Sequence, residues 1–252
     1  MDKETLTEIS ELPVTFGSGE IKLTGRILLP NTGRPMPGAI LCHGLGGSYQ
    51  VMESSARIMA SQGVASLIFD FHGHGCSGGV FDGNMVGDVV DAWHFLSNFS
   101  EVDEKRIALI GHSMGAAAAI LASRQIIPYT LITLSCPPEL PASWLAKPVA
   151  VAWLIWTYFA GHRIHADWQE VFAALTKSKL SIALRKLKSC SKLFVHCRGD
   201  YLTPYRLATK LYEKANHPKD LLLAKGGFHS TPLLSRGLRS QWTQWAVATL
   251  MN

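Results

Sequence analysis

The chain has 252 residues, of which 47% are hydrophobic and 17% are charged, and its formal net charge is +5. This length allows one large hydrophobic core, and this composition is typical of soluble globular proteins. Most of the chain lacks the basic clusters interleaved with aromatic residues that nucleic-acid binding needs, so no nucleic-acid partner is expected.

Predicted strands and helices alternate along most of the chain. It opens with a hairpin of two strands, at residues 14–16 and 21–29, joined by the turn Gly17-Ser18-Gly19-Glu20. The strands predicted after it cover residues 39–42, 64–71, 106–110, 131–134, 192–197 and 221–224. The helices predicted between and after them cover residues 52–62, 84–99, 116–122, 204–215 and 232–250. This alternation predicts right-handed crossovers and a mostly parallel sheet.

The most informative motif is Gly111-His112-Ser113-Met114-Gly115, which follows an apolar strand and precedes the small residues 116–122. A serine hydroxyl is a weak nucleophile at neutral pH, so a hydrolase must expose it beside a base. A sharp turn from strand to helix exposes the serine, and the glycines two residues before and after it let strand and helix approach closely. The motif predicts Ser113 as the nucleophile of a serine hydrolase.

Serine chemistry also needs a base, which position must select from ten histidines. His229 lies in a glycine-rich loop, residues 226–232, directly after the last predicted strand, and it is the predicted base. His43, His72 and His74 lie in other glycine-rich loops and are candidates for lining the site. His112 adjoins the nucleophile and is expected to point away from it along the turn.

The predicted acid is Asp200, because it follows the strand 192–197 directly and precedes Pro204, which starts a helix. The order Ser113, Asp200, His229 is the order used by hydrolases with this serine turn. Glu139 and Asp220 remain alternative acids, and Asp200 has the alternative role of capping the following helix.

A tetrahedral intermediate needs preorganised N–H donors for its oxyanion. The predicted donors are the backbone N–H of Met114 and that of Leu45, in the loop His43-Gly44-Leu45-Gly46-Gly47. The loop alone is also compatible with a phosphate-binding turn, although it lacks the spacing and the lysine of a P-loop.

Residues 137–190 interrupt the alternation, since they are rich in tryptophan and carry seven Lys and Arg against three Asp and Glu. We interpret this segment as a helical cap over the strand ends, the alternative being a long crossover beneath the sheet. Its Trp153 and Trp156, with His43 and His112, are assigned to the substrate pocket, although the tryptophans are equally suited to the cap's own core. The apolar run 149–160 is too short to span a bilayer, and its flanking cations favour at most a weak membrane-surface contact.

Together these motifs resemble those of the α/β-hydrolase superfamily over essentially the whole chain. The oxyanion loop 43–47, the loop 70–79 (Asp-x-x-Gly-x-Gly-x-Ser in the family), the acid motif 199–204 and the base motif 227–229 carry the resemblance beside the serine turn. Within that family the chain is most similar to bacterial feruloyl/cinnamoyl-type esterases and to monoacylglycerol-lipase-like hydrolases. The resemblance implies an α/β fold with a mostly parallel eight-stranded sheet flanked by helices. It also implies a core of residues 1–136 and 191–252 with a small cap, 137–190, after strand 6, a Ser-His-Asp triad and no cofactor.

The sequence therefore predicts a carboxylic-ester hydrolase that cleaves a small or medium apolar acyl or aryl ester through an acyl-enzyme. Thioester, peptide and lactone substrates use the same triad, and a non-catalytic binding protein on this fold is the alternative of another class. The five cysteines follow no metal-ligand spacing, so no metal is expected. The first residues lack a secretory signal, which favours a cytoplasmic protein.

Overall fold

The computed structural model describes residues 8–17, 20–32, 35–137, 164–177 and 179–252, which contain one eight-stranded sheet. Its strands are β1 (Ile9–Phe16), β2 (Leu23–Pro30), β3 (Met36–Cys42), β4 (Ala65–Phe69), β5 (Val102–His112), β6 (Thr130–Leu134), β7 (Ser191–Cys197) and β8 (Lys219–Ala224). Their order is β1-β2-β4-β3-β5-β6-β7-β8, with β2 antiparallel to both of its neighbours and all other pairs parallel. The predicted α/β-hydrolase fold is confirmed.

Helices connect the strands at the predicted places. They are α1 (Gln50–Ser61), α2 (Met85–Ser97), α3 (Met114–Ala122), α4 (Trp168–Lys177), α5 (Leu180–Lys186), α6 (Tyr205–Lys214), α7 (Thr231–Leu234) and α8 (Arg236–Met251). The single C-terminal helix predicted over 232–250 was wrong, because Ser235 is extended (φ −73°, ψ 117°) and ends α7. Its hydroxyl accepts a hydrogen bond from Leu238 N, so Ser235 caps α8 instead of continuing α7.

The apolar core lies in two layers, one on each face of the sheet. The first layer packs α2, α3 and α5 on the sheet, and the second packs α1 and α8 on its opposite face. Strands β3, β4 and β6 are buried along their whole length, as strands covered on both faces must be. No helix in the described ranges is both long and apolar enough to cross a membrane.

The last part of the predicted cap pairs with the loop that follows β4. His165 N donates to Gly73 O (2.7 Å), and Phe81 N donates to His165 O (2.6 Å). Helix α5 buries Leu184 in the apolar layer that contains α3. Residues 138–163 lie outside the described residues, so the division into a core (1–136 and 191–252) and a cap (137–190) stays a prediction.

Candidate functional site

Ser113 occupies the turn between β5 and α3 with a backbone conformation that side chains rarely adopt (φ 52°, ψ −118°). Glycine is required on both sides of it. A Cβ at Gly111 would lie 2.2 Å from Gly115 O, and one at Gly115 would lie 2.3 Å from Cys42 O. The backbones of the strand, the turn and the helix therefore pack directly against one another. This packing keeps the serine at the apex of a strained turn, as the sequence motif predicts.

The loop 43–47 lies directly beside this turn. A Cβ at Gly44 would come within 3.2 Å of Ser113 Cβ, so the backbone of this loop passes next to the serine. Gly47 N donates to Gly44 O (2.9 Å) and closes the loop on itself. Met114 is the first residue of α3, and the first backbone N–H groups of a helix have no carbonyl acceptor within the helix. The proposed oxyanion donors, Leu45 and Met114, thus belong to two adjoining segments, and their role stays a prediction.

Asp200 and His229 come together across the ends of two adjacent parallel strands. His229 Nδ1 lies 2.9 Å from Asp200 Oδ2. A Cβ at Gly199 would lie 2.5 Å from Gly227 O, so the two loops pack backbone against backbone. Because an ionised carboxylate only accepts hydrogen bonds, the Nδ1 of His229 carries the proton, and the lone pair of the neutral ring is on Nε2.

The carboxylate of Asp200 is buried but well supplied with donors. Leu202 N and Thr203 N both donate to Oδ1 (3.0 and 2.9 Å), while Thr203 Oγ1 donates to Oδ2 (2.7 Å). Burial by itself raises the pKa of Asp200, but hydrogen bonds from His196, His229 and the Thr203 backbone together hold that pKa well below its usual range. Asp200 is therefore ionised at neutral pH and can fix the orientation of the imidazole.

His112 connects the serine turn to the base. Its Nε2 donates to His229 O (3.0 Å), and the two rings are 5.0 Å apart. Burial, with the nearby charge of His229, lowers the pKa of His112 to about 3, so this ring stays neutral. His112 thus holds the backbone of the base against the serine turn without placing a permanent charge beside it.

One contact of the predicted triad is not made in this arrangement. The Nε2 of His229 is buried and, among the described residues, has no hydrogen-bond partner, Ser113 Oγ included. Ser113 and His229 are nevertheless joined through His112, which precedes the serine and bonds the base. The structure therefore brings Asp200 and His229 together and leaves the nitrogen that faces away from Asp200 unoccupied.

The other histidines named from the sequence are buried and engaged in the protein. His43 Nδ1 donates to Gly44 O (2.7 Å), and its Nε2 accepts from Phe71 N (3.1 Å). His72 lies between Asp88 (2.7 Å) and Asp82 (3.2 Å), and His74 Nδ1 donates to His72 O (3.0 Å). Burial and neighbouring histidines lower the pKa of His43 to about 3, so this ring, the first residue of the loop 43–47, remains neutral. A pocket role for His43 and His112 stays a prediction.

The loop at 70–79, part of the family resemblance, is held together by its own hydrogen bonds and by one to Tyr49. Asp70 accepts from Tyr49 N (2.7 Å) and Cys76 N (2.9 Å), while Ser77 Oγ donates to Asp70 O (2.6 Å). Gly75 has φ 53° and no room for a Cβ beside Asp70 Oδ2. Asp70, Gly75 and Ser77, the acidic, glycine and serine positions of this motif, therefore stabilise one compact turn after β4.

The remaining candidates are placed elsewhere or not described. Asp220, an alternative acid, lies at the start of β8 and accepts a hydrogen bond from Trp245 Nε1 (3.0 Å). Glu139, Trp153 and Trp156 lie outside the described residues. Within the described ranges no cluster of His, Cys, Asp or Glu side chains is arranged to hold a metal ion.

Sequence reasoning missed two residues that contact the acid. Thr203 bonds Asp200 Oδ2 and lies 3.1 Å from His229 Nδ1. His196 Nε2 donates to Thr203 O (2.7 Å) and lies 3.4 Å from Asp200 Oδ2. Both residues lie within four positions of Asp200, so a search for polar side chains near the predicted acid would have found them.

A family model described as "Serine aminopeptidase, S33" matches residues 35–186 of the chain. An uncharacterized protein of Mycobacterium tuberculosis is 27% identical over 218 residues, which are 86% of this chain and 71% of that protein. The lysophosphatidylserine lipase ABHD12 of Gallus gallus is 27% identical over 179 residues, covering 68% of this chain and 44% of the lipase. The chain thus spans less than half of that lipase.

Among solved structures, an esterase of Pyrococcus furiosus superimposes with a TM-score of 0.73 and 21% sequence identity. The match covers 96% of this chain and 91% of the esterase. At this identity the likeness establishes a common fold. These similar proteins do not distinguish between the feruloyl-esterase and monoacylglycerol-lipase subgroups, so the resemblance of this chain to either subgroup stays a prediction.

Proposed function

The chain belongs to the serine aminopeptidase S33 family of α/β-hydrolase-fold hydrolases, and from its site we infer that it is a serine hydrolase of carboxylic esters. The observation that carries the proposal is the pair formed by Asp200 and His229 beside the strained turn of Ser113. An ionised acid on Nδ1 and an unpartnered Nε2 are what a general base needs in order to take a hydroxyl proton.

In the proposed reaction Ser113 Oγ attacks the ester carbonyl as His229 Nε2 takes its proton. Asp200 keeps the ring oriented and stabilises the imidazolium that forms. The backbone N–H groups of Leu45 and Met114 bind the oxyanion, and the protonated His229 then delivers its proton to the leaving alkoxide. Water, deprotonated by His229, attacks the acyl-enzyme, and His229 returns that proton to Ser113 Oγ as the acid is released.

The proposed substrate is a small or medium, largely apolar acyl or aryl ester. Support for ester chemistry comes from the chicken relative, whose name is that of a lipase. The family description names an aminopeptidase, and the same three side chains serve amide, lactone and thioester cleavage. A non-catalytic binding protein does not need an ionised carboxylate that orients a histidine beside a strained serine. The presence of this arrangement therefore favours a catalytic function.

A fluorescent fluorophosphonate tests the nucleophile directly. We expect the wild type to be labelled and to hydrolyse p-nitrophenyl esters, while Ser113→Ala loses labelling and at least about 10⁴-fold in kcat. The matched control is Ser123→Ala, which removes another buried serine hydroxyl at the end of the same helix, α3. A folded wild type that is not labelled, or a Ser113→Ala protein with wild-type turnover, would refute the proposal.

Matched substrates test the bond that is cleaved. An acetyl or butyryl group is presented as its p-nitrophenyl ester, its p-nitroanilide and its thioester, and kcat/KM is compared among the three. We expect the oxyester to be the fastest, and a series of acyl chains from acetyl to dodecanoyl then measures the pocket. A higher kcat/KM for the anilide or the thioester would replace esters with peptides or thioesters.

A further inference from the structure

Three large apolar side chains are exposed next to the site. Tyr201 is 85% exposed, Phe228 is 74% exposed and Leu234 is 76% exposed. Tyr201 follows Asp200 and Phe228 precedes His229, so each adjoins one partner of the 2.9 Å contact between acid and base. Exposed apolar side chains of this size mark an interaction surface where several of them lie on the same face of a protein.

All three side chains lie on one edge of the sheet. Strands β7 and β8 are parallel neighbours, so the loops after Cys197 and after Ala224 leave the same edge. Leu234 ends α7, which is tied to the loop of the base because Thr231 N donates to Phe228 O (3.1 Å). We call Tyr201, Phe228 and Leu234 the apolar rim.

The segments that carry the apolar rim are predominantly basic. Residues 198–214 and 224–240 contain seven Lys and Arg against two carboxylates, Glu213 and Asp200, and Asp200 is buried against His229. The side chains of Arg198, Arg206, Lys225 and Arg236 are exposed, and none of them forms a salt bridge within the described parts of the chain. A partner that fits this surface is apolar and negatively charged.

We propose that the apolar rim and its flanking cations dock on the surface of a membrane that contains acidic phospholipids. Apolar side chains enter the headgroup region, while Arg and Lys are attracted to the anionic headgroups. A small soluble anion would explain the cations but not three exposed apolar side chains. The docking surface lies on the hydrolase core beside Asp200 and His229, not on the segment 149–160, and it directs the site toward the lipid.

Vesicle co-sedimentation tests this proposal independently of catalysis. The protein is used as Ser113→Ala, so that no lipid is hydrolysed, with vesicles of phosphatidylcholine alone or with about one-third phosphatidylglycerol. We expect binding to the acidic vesicles at low salt, little binding to the neutral ones, and a marked loss at about 0.5 M salt. Equal binding to both vesicles, or no binding to acidic vesicles at low salt, overturns the proposal.

Single substitutions locate the surface. In the Ser113→Ala background we expect Arg236→Gln to weaken binding about fivefold and Leu234→Ser about tenfold. The matched control is Ile127→Ser, because Ile127 is 70% exposed but precedes β6 and so lies at the opposite edge of the sheet. Circular dichroism and melting temperature confirm that each variant is folded. If Ile127→Ser weakens binding as much as Leu234→Ser, the apolar rim is not the docking surface.

Discussion

Thr203 Oγ1 donates a 2.7 Å hydrogen bond to Asp200 Oδ2, the same oxygen that lies 2.9 Å from His229 Nδ1. The hydroxyl also lies 3.1 Å from that nitrogen, so Thr203 contacts both members of the pair. Since its backbone N–H bonds the other carboxylate oxygen, one residue fixes the plane of the carboxylate from two sides. This arrangement makes Thr203 a positioning residue for the proposed base.

Replacing Thr203 with Val removes the hydroxyl and keeps the shape of the side chain. A hydrogen bond to a charged group contributes about 1.5–3 kcal/mol, so we expect kcat to fall about tenfold or more with little change in KM. Thr203→Ser, which keeps the hydroxyl, is the control and should retain most of the activity. Steady-state kinetics on a p-nitrophenyl ester measures both, and equal activity of Thr203→Val and wild type would contradict the role.

We expect His196 to affect catalysis indirectly, through its contacts with Thr203 and Asp200. Its Nε2 bonds Thr203 O and approaches Asp200 Oδ2, so His196→Leu leaves a buried carbonyl unpaired and removes a donor from the acid. We expect a fall in kcat of about fivefold to tenfold, together with a lower melting temperature. His196→Gln, whose amide can donate at a similar position, should restore kcat.

The kinetics of these variants are measured well below their melting temperatures. If His196→Leu is less stable but has the kcat of the wild type, then His196 serves the fold alone and not the orientation of the acid.

The serine turn is predicted to tolerate no side chain at Gly115. A Cβ there would lie 2.3 Å from Cys42 O and 2.5 Å from His43 O, both backbone atoms that cannot move independently. We expect Gly115→Ala to lose several kcal/mol of unfolding free energy, or to fail to fold. Gly87→Ala is the matched control, since a Cβ at Gly87 in α2 meets nothing within 4 Å.

In that control, alanine should be neutral or should stabilise α2 by up to about 1 kcal/mol. Urea denaturation of the two variants measures both effects. A Gly115→Ala protein as stable as Gly87→Ala would show that the backbone contact at the turn is not close.

Stability is predicted to fall as the solution is acidified below about pH 6.5. Burial lowers the pKa of His43 and of His112 to about 3 and that of His74 to about 4. In the unfolded chain these rings bind protons near pH 6.5, so between about pH 4 and 6.5 the unfolded state holds more protons than the folded one. Each ring then removes up to about 1.4 kcal/mol of stability per pH unit on acidification.

Two other groups modify this profile. Burial lowers the pKa of His72, but the hydrogen bond and charge of Asp88 and the charge of Asp82 outweigh it, so the pKa is raised. Its stabilisation is present below pH 6.5 and is lost as the pH rises. The lowered pKa of Asp200 adds a stabilisation that is present above about pH 4 and is lost at lower pH.

The test of this profile is urea denaturation at several pH values between about 4.5 and 7.5. His74→Asn keeps a donor for His72 O but does not titrate, so its slope of unfolding free energy against pH should be lower by about one-third. An unchanged slope in that variant would show that His74 is protonated in the folded state.

The local patterns determined most of the architecture. Buried strands such as β6, with every residue apolar or Thr, and the hairpin of β1 and β2 can be predicted because burial and turn formation depend on a few neighbouring residues. The serine turn could be predicted for the same reason, since its glycines lie only two residues from the serine along the chain. The break at Ser235 was not predicted, because the apolar spacing continues through it.

The sequence by itself determined the fold and the choice of Ser113, Asp200 and His229 as candidates, because motif order and strand ends can be recognised along the chain. Only the tertiary structure decided which groups surround them. Thr203 and His196 both contact Asp200, and the apolar rim lies along one edge of the sheet. Both arrangements arise because the loops that follow neighbouring parallel strands lie at the same edge. Such contacts depend on how distant strands align, and no short stretch of sequence specifies that alignment.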